Sequence, residues 1–332
     1  MIFPWQNSAW ADWACLRERL PHALMIRAGE GEGVFEFAQY AAQSLLCERP
    51  LAKRQPCGKC GACTWFGQGN HPDYRLVVPE SLVEETSEES GETRKKEKRS
   101  EQIRIEQIRG LGQFLAVGTH RAGWRVILIY PAEAMNMNTQ NALLKSLEEP
   151  PPATVFLLAT AQPERLLATV RSRCLNFVLP APDSTQAAAW LKANGAVRPE
   201  IVLAGAGGAP LRALLAAGSE SEHSRFLEGL RDPRMDPIAL AERTQRVPLV
   251  DVVGWLQRWS YDLLSFRVAG TIRYHPGQES VVANTSCHCE AQDIAHYLRQ
   301  LARARALVNH PLNSRLFVED LLLQYQSAVF RA

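Results

Sequence analysis

Five short apolar runs alternating with stretches of helical spacing constrain the fold of this chain more than anything else in it. The runs are Ala23–Arg27, Tyr74–Val78, Arg125–Tyr130, Thr154–Thr160 and Leu175–Leu179. Each is short for a helix and too continuously apolar for a half-exposed strand, so each predicts a strand covered on both faces. Helical stretches at Ile105–Leu115, Asn138–Glu148 and Gln162–Arg171 separate most of them. That alternation predicts an α/β domain, a parallel sheet with helices on both sides. Ahead of it, Ser8 is read as the cap of a helix over Ala9–Leu20, with Trp10, Trp13 and Leu16–Leu20 as its apolar side. The tryptophans are read as packing residues, and Cys15 on the same helix as core.

After Leu179 the composition shifts. Pro180-Ala181-Pro182-Asp183 reads as a boundary, with Asp183 or Ser184 capping the next helix. Alanine-rich helices follow to about Gly218, and a wholly helical part ends the chain, with helices at Leu249–Phe266, Asp293–Leu307 and Arg315–Val329. A length of 332 residues suits two or three domains. The net charge of +2 gives no support to a strongly basic nucleic-acid binder. No apolar run approaches the roughly 20 residues of a membrane helix, and the N-terminus has no leader pattern. A cytoplasmic protein with reduced cysteines and no membrane partner is expected. Glu80–Glu101 turns from acidic to basic and reads as a solvated loop, with a DNA contact by its basic end left open.

The first run leads into Ala28-Gly29-Glu30-Gly31-Glu32-Gly33-Val34-Phe35, and a helix is expected from Glu36 to Cys47. This is the setting of a phosphate-binding loop, whose pattern is G-x-x-x-x-G-K-[ST]. Val34 stands where the lysine would reach the phosphates, and Phe35 where a hydroxyl would hold magnesium. Glu30 and Glu32 oppose phosphate charge from inside the loop, although the amides of Gly29, Gly31 and Gly33 leave an anion nest open. Hydrolysis also needs an acid at the end of a neighbouring strand. The strand read into that place, Val126–Ile129, ends in Tyr130 and Pro131, with Glu133 pointing elsewhere. With three parts missing, ATP binding and hydrolysis by this chain are not expected.

Cys57, Cys60 and Cys63 stand at two-residue intervals, with Cys47 upstream. Four thiolates on short glycine-containing knuckles suit a closed, tetrahedral, structural zinc site. The same spacing opens a bacterial iron–sulfur run, but its fourth cysteine would fall at Gly67 and its proline at Gln68. Cys287-His288-Cys289 lacks further ligands and reads as ordinary reduced side chains.

Asn141-Ala142-Leu143-Leu144-Lys145-Ser146-Leu147-Glu148-Glu149-Pro150-Pro151 resembles a helix of clamp-loader subunits of the AAA+ family. Pro131–Asn136 before it and Ser172-Arg173-Cys174 after it sit at that family's spacing, and the cysteine cluster and His71-Pro72-Asp73-Tyr74 are similar too. The resemblance implies a RecA-like AAA+ domain over 1–180 with a zinc module at about 47–63. A helical lid over 181–218 and an all-α collar over 219–332 would follow. It further implies a hetero-pentamer with a delta subunit and three ATPase subunits, which places a sliding clamp on primer-template DNA for DNA polymerase III. A member without the loop lysine would be a non-hydrolysing stator. Arg173 would be its arginine finger, acting in trans on a neighbour's ATP, a contact worth roughly 10³–10⁵ in rate. Taken alone, Arg173 reads as a surface arginine at a helix end. Two other readings stay open: an active ATPase with an altered loop, and a zinc-dependent nucleic-acid-binding protein.

Overall fold

The computed structural model describes residues 2–82, 100–120, 123–218, 220–308 and 312–330, and holds two compact units, Met1–Asp183 and Ser184–Ala332. In the first, β1 (Ala23–Arg27), β2 (Tyr74–Val77), β3 (Arg125–Ile129), β4 (Thr154–Thr160) and β5 (Leu175–Val178) form a parallel sheet in the order β2-β3-β4-β1-β5. Successive side chains of a strand point to opposite faces, and those of β1, β3 and β4 enter two separate cores. The edge strands β2 and β5, expected to be covered on both faces, are only partly buried and mostly exposed respectively, because each has a neighbour on one side only. Leu24, Ile26, Val126, Leu128, Val155 and Leu157 pack with Trp10 and Trp13 of α1 (Asn7–Leu16) and Phe37 and Ala41 of α2 (Val34–Leu46). The short α3 (Gly61–Gly67) belongs to the cysteine segment between α2 and β2. On the opposite face, Met25, Ile127, Ile129, Phe156 and Leu158 meet α4 (Ile105–Ala116), α5 (Met137–Glu148) and α6 (Ala168–Arg171) through Ile108, Leu111, Leu143, Leu147 and Val170. Each large side chain buried this way contributes about 1.5–3 kcal/mol.

Several local expectations are corrected. Helix α1 starts at Asn7, so Ser8 lies inside it, and a 3₁₀ turn at Pro4–Gln6 leads into it instead of a capping serine. The helix stops at Leu16 and tightens to a 3₁₀ turn over Arg17–Arg19. Cys15 is exposed, not core. At about 100° per residue it lies some 200° around the helix from the buried Trp13. The stretch 162–171 is not one helix but a 3₁₀ turn, Pro163–Arg165, followed by α6. The cause is Gln140 of α5. Its Nε2 donates to the carbonyls of Met135 and Arg165 (2.9 and 3.3 Å), and its Oε1 accepts from the Leu167 amide at 2.7 Å. The backbone at 165–167 therefore bonds to a buried side chain rather than to a continuing helix. Of the charged segment expected at 80–101, the ends are ordered around a 3.0 Å Glu80–Arg104 pair, and 83–99 lie outside the described residues.

The second unit is helical throughout its described residues. The helices α7 (Ser184–Ala193), α8 (Pro199–Gly205) and α9 (Pro210–Ala217) share a small core around Ala187, Leu191, Leu203 and Ala213. After them come α10 (Glu220–Leu230), α11 (Pro237–Arg243), α12 (Leu249–Ala269), α13 (Glu279–Ser286), α14 (Ala291–Arg305) and α15 (Ser314–Val329). These surround a larger core whose aromatic residues keep their polar tips satisfied. Trp259 Nε1 donates to the Tyr325 hydroxyl at 2.8 Å, which donates to the Leu230 carbonyl at 3.0 Å. No helix among the described residues is long and apolar enough to cross a membrane.

Candidate functional site

The carboxyl end of β1 leads into the loop 28–33, and α2 begins directly at Val34. The loop is filled by its own side chain. Glu32 folds back so that its Oε2 accepts a 2.7 Å hydrogen bond from the Gly29 amide. A Cβ at position 29 would collide with that carboxylate. The carboxylate thus lies within the loop, where its charge would oppose an incoming phosphate. Gly33 has φ +92°, and a Cβ there would lie 2.6 Å from the Phe3 ring and 2.9 Å from Gln6 Nε2, so only glycine fits. The N-terminal segment holds this arrangement from outside. Trp5 Nε1 donates to the Glu32 carbonyl at 2.9 Å, and Gln6 Nε2 to the Gly33 carbonyl at 2.8 Å. Sequence reasoning missed that cover, because residues 3–6 carry no periodic or motif signal.

The place where the motif pattern would put a hydroxyl is packed as well. Phe35, on the first turn of α2, stacks on Tyr130 at the end of β3, with ring centroids 4.5 Å apart. Strand β3, read from sequence as a neighbour of β1, is separated from it by β4, so these rings meet across an intervening strand. Burial, then the carboxylates of Glu36, Glu133 and Glu30, push the Tyr130 phenol above its ordinary value. A neutral ring in a negative field is a poor place for a nucleotide's phosphates. Glu133, expected to point away, accepts from the Ala161 amide at 3.1 Å.

Arg173 follows the end of α6 and is about one-third exposed. Its guanidinium is held at both nitrogens. Nη2 pairs with Glu148 Oε1 at 2.5 Å, and Nη1 donates to the Thr169 carbonyl at 2.9 Å. Glu148 is the last residue of α5, inside the segment that carried the family resemblance. This partner was not foreseen, because two helix ends distant in sequence supply the pair.

Cys47, Cys57, Cys60 and Cys63 come together, their sulfurs all within 4.8 Å of one another. Cys47–Cys60 and Cys57–Cys63 are each 3.9 Å apart. Tetrahedral zinc with Zn–S of about 2.3 Å places sulfurs about 3.8 Å apart, so the four residues fit that ion. Backbone amides already point at the sulfurs: Cys57 N to Cys47 Sγ at 3.3 Å, Cys60 N to Cys57 Sγ at 3.3 Å and Cys63 N to Cys60 Sγ at 3.4 Å. Such donors favour thiolates; those from Lys59 and Cys60 lower the Cys57 thiol to about 6, whereas burial outweighs them at Cys47 and Cys63 and raises both thiols. Phe66 of α3 packs on Tyr74 of β2 at 4.6 Å, tying the module to the sheet. Cys287 and Cys289 form no such group among the described residues; one is exposed, and burial raises the other to about 11.

Fold and site together define an α/β unit with a five-stranded parallel sheet, whose loop after β1 is packed by its own side chains, carrying a four-cysteine module and followed by a helical unit. Residues 11–183 match the family model described as "DNA polymerase III, delta subunit". The chain is 35% identical over 276 residues to DNA polymerase III subunit delta′ of Pseudomonas aeruginosa, covering 80% of this chain and 78% of that one. It is 30% identical over 348 aligned positions to subunit delta′ of Yersinia pestis, covering 98% and 96%. It is also 32% identical over 168 residues to subunit tau of Salmonella typhimurium, covering 51% of this chain and 23% of that one. The chain belongs to the family of DNA polymerase III delta′ subunits.

Proposed function

We propose that this chain is the non-hydrolysing stator of a clamp loader, supplying Arg173 in trans to ATP bound by a neighbouring ATPase subunit. The observation that carries the reading is the closed loop: Glu32 on the Gly29 amide, with Phe35 stacked on Tyr130. A nucleotide would have to displace both, and no lysine is present to compensate. Arg173 stays within reach of solvent while its two hydrogen bonds fix its direction. An arginine finger needs both properties.

In this reading the sheet-containing unit is a RecA-like AAA+ domain, with a lid over 181–218 and a collar over 219–332. The separate small core of α7–α9 supports the lid assignment. Zinc bound by Cys47, Cys57, Cys60 and Cys63 would brace α3 and the segment entering β2, with no open position for chemistry. The partners are the delta subunit and ATPase subunits of a cytoplasmic hetero-pentamer, which acts on a sliding clamp and primer-template DNA. The similarity of the tau subunit to this chain supports a ring of related modules.

The test is reconstitution with ATPase and delta subunits, measuring ATP turnover and clamp loading. Arg173→Ala should remove most of the turnover at its site while the complex still assembles. Normal turnover and loading by that complex would overturn the finger assignment. The isolated chain should neither bind nor hydrolyse ATP, and measurable affinity would favour the altered-loop ATPase instead.

A further inference from the structure

Three of the four clustered cysteines, Cys57, Cys60 and Cys63, belong to one short run, while Cys47 directly follows α2. What brings Cys47 to the others is therefore the course of the backbone over 48–56. Residues 48–54 are all exposed, so burial of side chains does not set that course. An exposed connection left to itself samples many conformations, and ordering it when a ligand binds costs entropy.

The connection is not left to itself. Lys53 and Arg54 hold φ +53° and +59°, a left-handed conformation that residues with a side chain rarely adopt. Among the described residues Ala153 alone shares it outside glycine. Such backbone persists only where the surroundings over-determine it. Here Trp10 Nε1 donates to the Lys53 carbonyl at 3.1 Å, and Arg17 Nη1 donates to the Arg54 carbonyl at 3.3 Å. Both donors come from α1 and the turn that follows it. Within the connection, the Leu51 amide donates to the Gln55 carbonyl at 2.8 Å.

Trp10 is fixed in its turn. It is 2% exposed, and its ring centroid lies 4.7 Å from that of Tyr40 and 6.0 Å from that of Phe37, both on α2. One side chain thus rests on the helix that ends beside Cys47 and grips the stretch that leads to Cys57. At the far end of that stretch the Cys57 amide meets Cys47 Sγ at 3.3 Å.

We infer that Trp10 and Arg17 are positioning residues of the metal centre, holding the Lys53 and Arg54 carbonyls so that Cys47 stays in one coordination shell with Cys57, Cys60 and Cys63. The inference rests on the reading of the four cysteines as a zinc site. Without the two donors the Cys57–Cys63 run keeps its own ligand spacing, and Cys47 becomes the ligand that is free to leave. The site then opens from four thiolates to three.

The test compares zinc-loaded full-length wild type with Trp10→Phe, Arg17→Gln and Trp13→Phe. Zinc release to a chromophoric chelator is timed, and alkylation of each cysteine by iodoacetamide is mapped by mass spectrometry. Trp10→Phe and Arg17→Gln should each release zinc about fivefold faster, as the loss of one hydrogen bond allows. In both, Cys47 should be alkylated first while Cys57, Cys60 and Cys63 stay protected. Trp13→Phe loses a 3.2 Å hydrogen bond to Ser44 in the same core without touching the connection. It should release zinc at the wild-type rate. Unchanged release and labelling in Trp10→Phe and Arg17→Gln would overturn the inference, and so would an equal acceleration in Trp13→Phe. Where Trp10→Phe does not fold, the exposed bond removed by Arg17→Gln decides the matter. Wild type that holds no zinc would overturn the zinc reading itself, a failure seen before any variant is compared.

Discussion

The rings of Phe35 and Tyr130 lie 4.5 Å apart at an interplanar angle of 24°. In a working phosphate-loop protein the side chains at these two places meet at a magnesium ion. Here they meet each other, and both join the core that holds α2 against the sheet. Both rings serve as packing surface, so under the proposed reading nucleotide binding at this loop would require taking part of a core apart.

Val34→Lys alone should therefore leave Mg-ATP binding undetectable by calorimetry, because Glu32 and the aromatic pair still fill the space. Phe35→Ala should lower stability to urea by about 2–3 kcal/mol, through lost burial and lost stacking. A Val34→Lys protein that binds ATP would show that the loop is less closed than its geometry.

Purified protein should carry one zinc per chain, measured by atomic emission. Cys60→Ser should release it and loosen the segment from Cys47 to Tyr74, read as faster amide exchange there. The rest of the sheet should keep its protection. Iron in place of zinc, or full metal content in Cys60→Ser, would remove the assignment.

Glu148→Gln separates the direction of Arg173 from its presence. The pair is one-third to one-half exposed, so its loss should change the stability of the isolated chain by less than about 1 kcal/mol. In the reconstituted complex, kcat for ATP should fall by less than in Arg173→Ala, with KM unchanged. An unaltered kcat would show that Glu148 does not orient the finger.

His223 accepts its proton at about 3 in the folded chain against 6.5 ordinarily, chiefly because it is buried. Between those values the unfolded chain holds a proton that the folded chain lacks. Stability therefore rises with pH across that window and is lost on acidification. The slope from this residue is at most about 1.4 kcal/mol per pH unit. Urea midpoints should fall from about pH 7 to about pH 4, and more gently in His223→Gln. An equal slope in the variant would rule His223 out as the source.

Strands β1 and β4 could be read to the residue, because two-sided burial writes a continuous apolar run that stops where the chain turns. The cysteine set was legible because short, regular spacing is what brings four thiols close enough to hold one metal ion. Strand order was not, since β4 enters between β1 and β3 by a choice that no local pattern records. The break at Leu166 and Leu167 also escaped notice, because its cause is Gln140 on another helix. The Arg173–Glu148 pair and the cover of residues 3–6 over the loop likewise exist only after folding.

Glu32 is in effect a ligand that cannot diffuse away. Its tether to Gly29 is three residues long, and a short tether sets a high local concentration for its carboxylate. The occupancy of the loop should then be indifferent to the cell's ratio of ATP to ADP. A ligand moves a conformational equilibrium only through differential affinity for its states. With its occupant attached, the loop of the proposed stator would have no bound and empty states for a nucleotide to choose between. In the proposed assembly, such a subunit would keep time with no neighbour's nucleotide cycle and would offer each cycle the same surface.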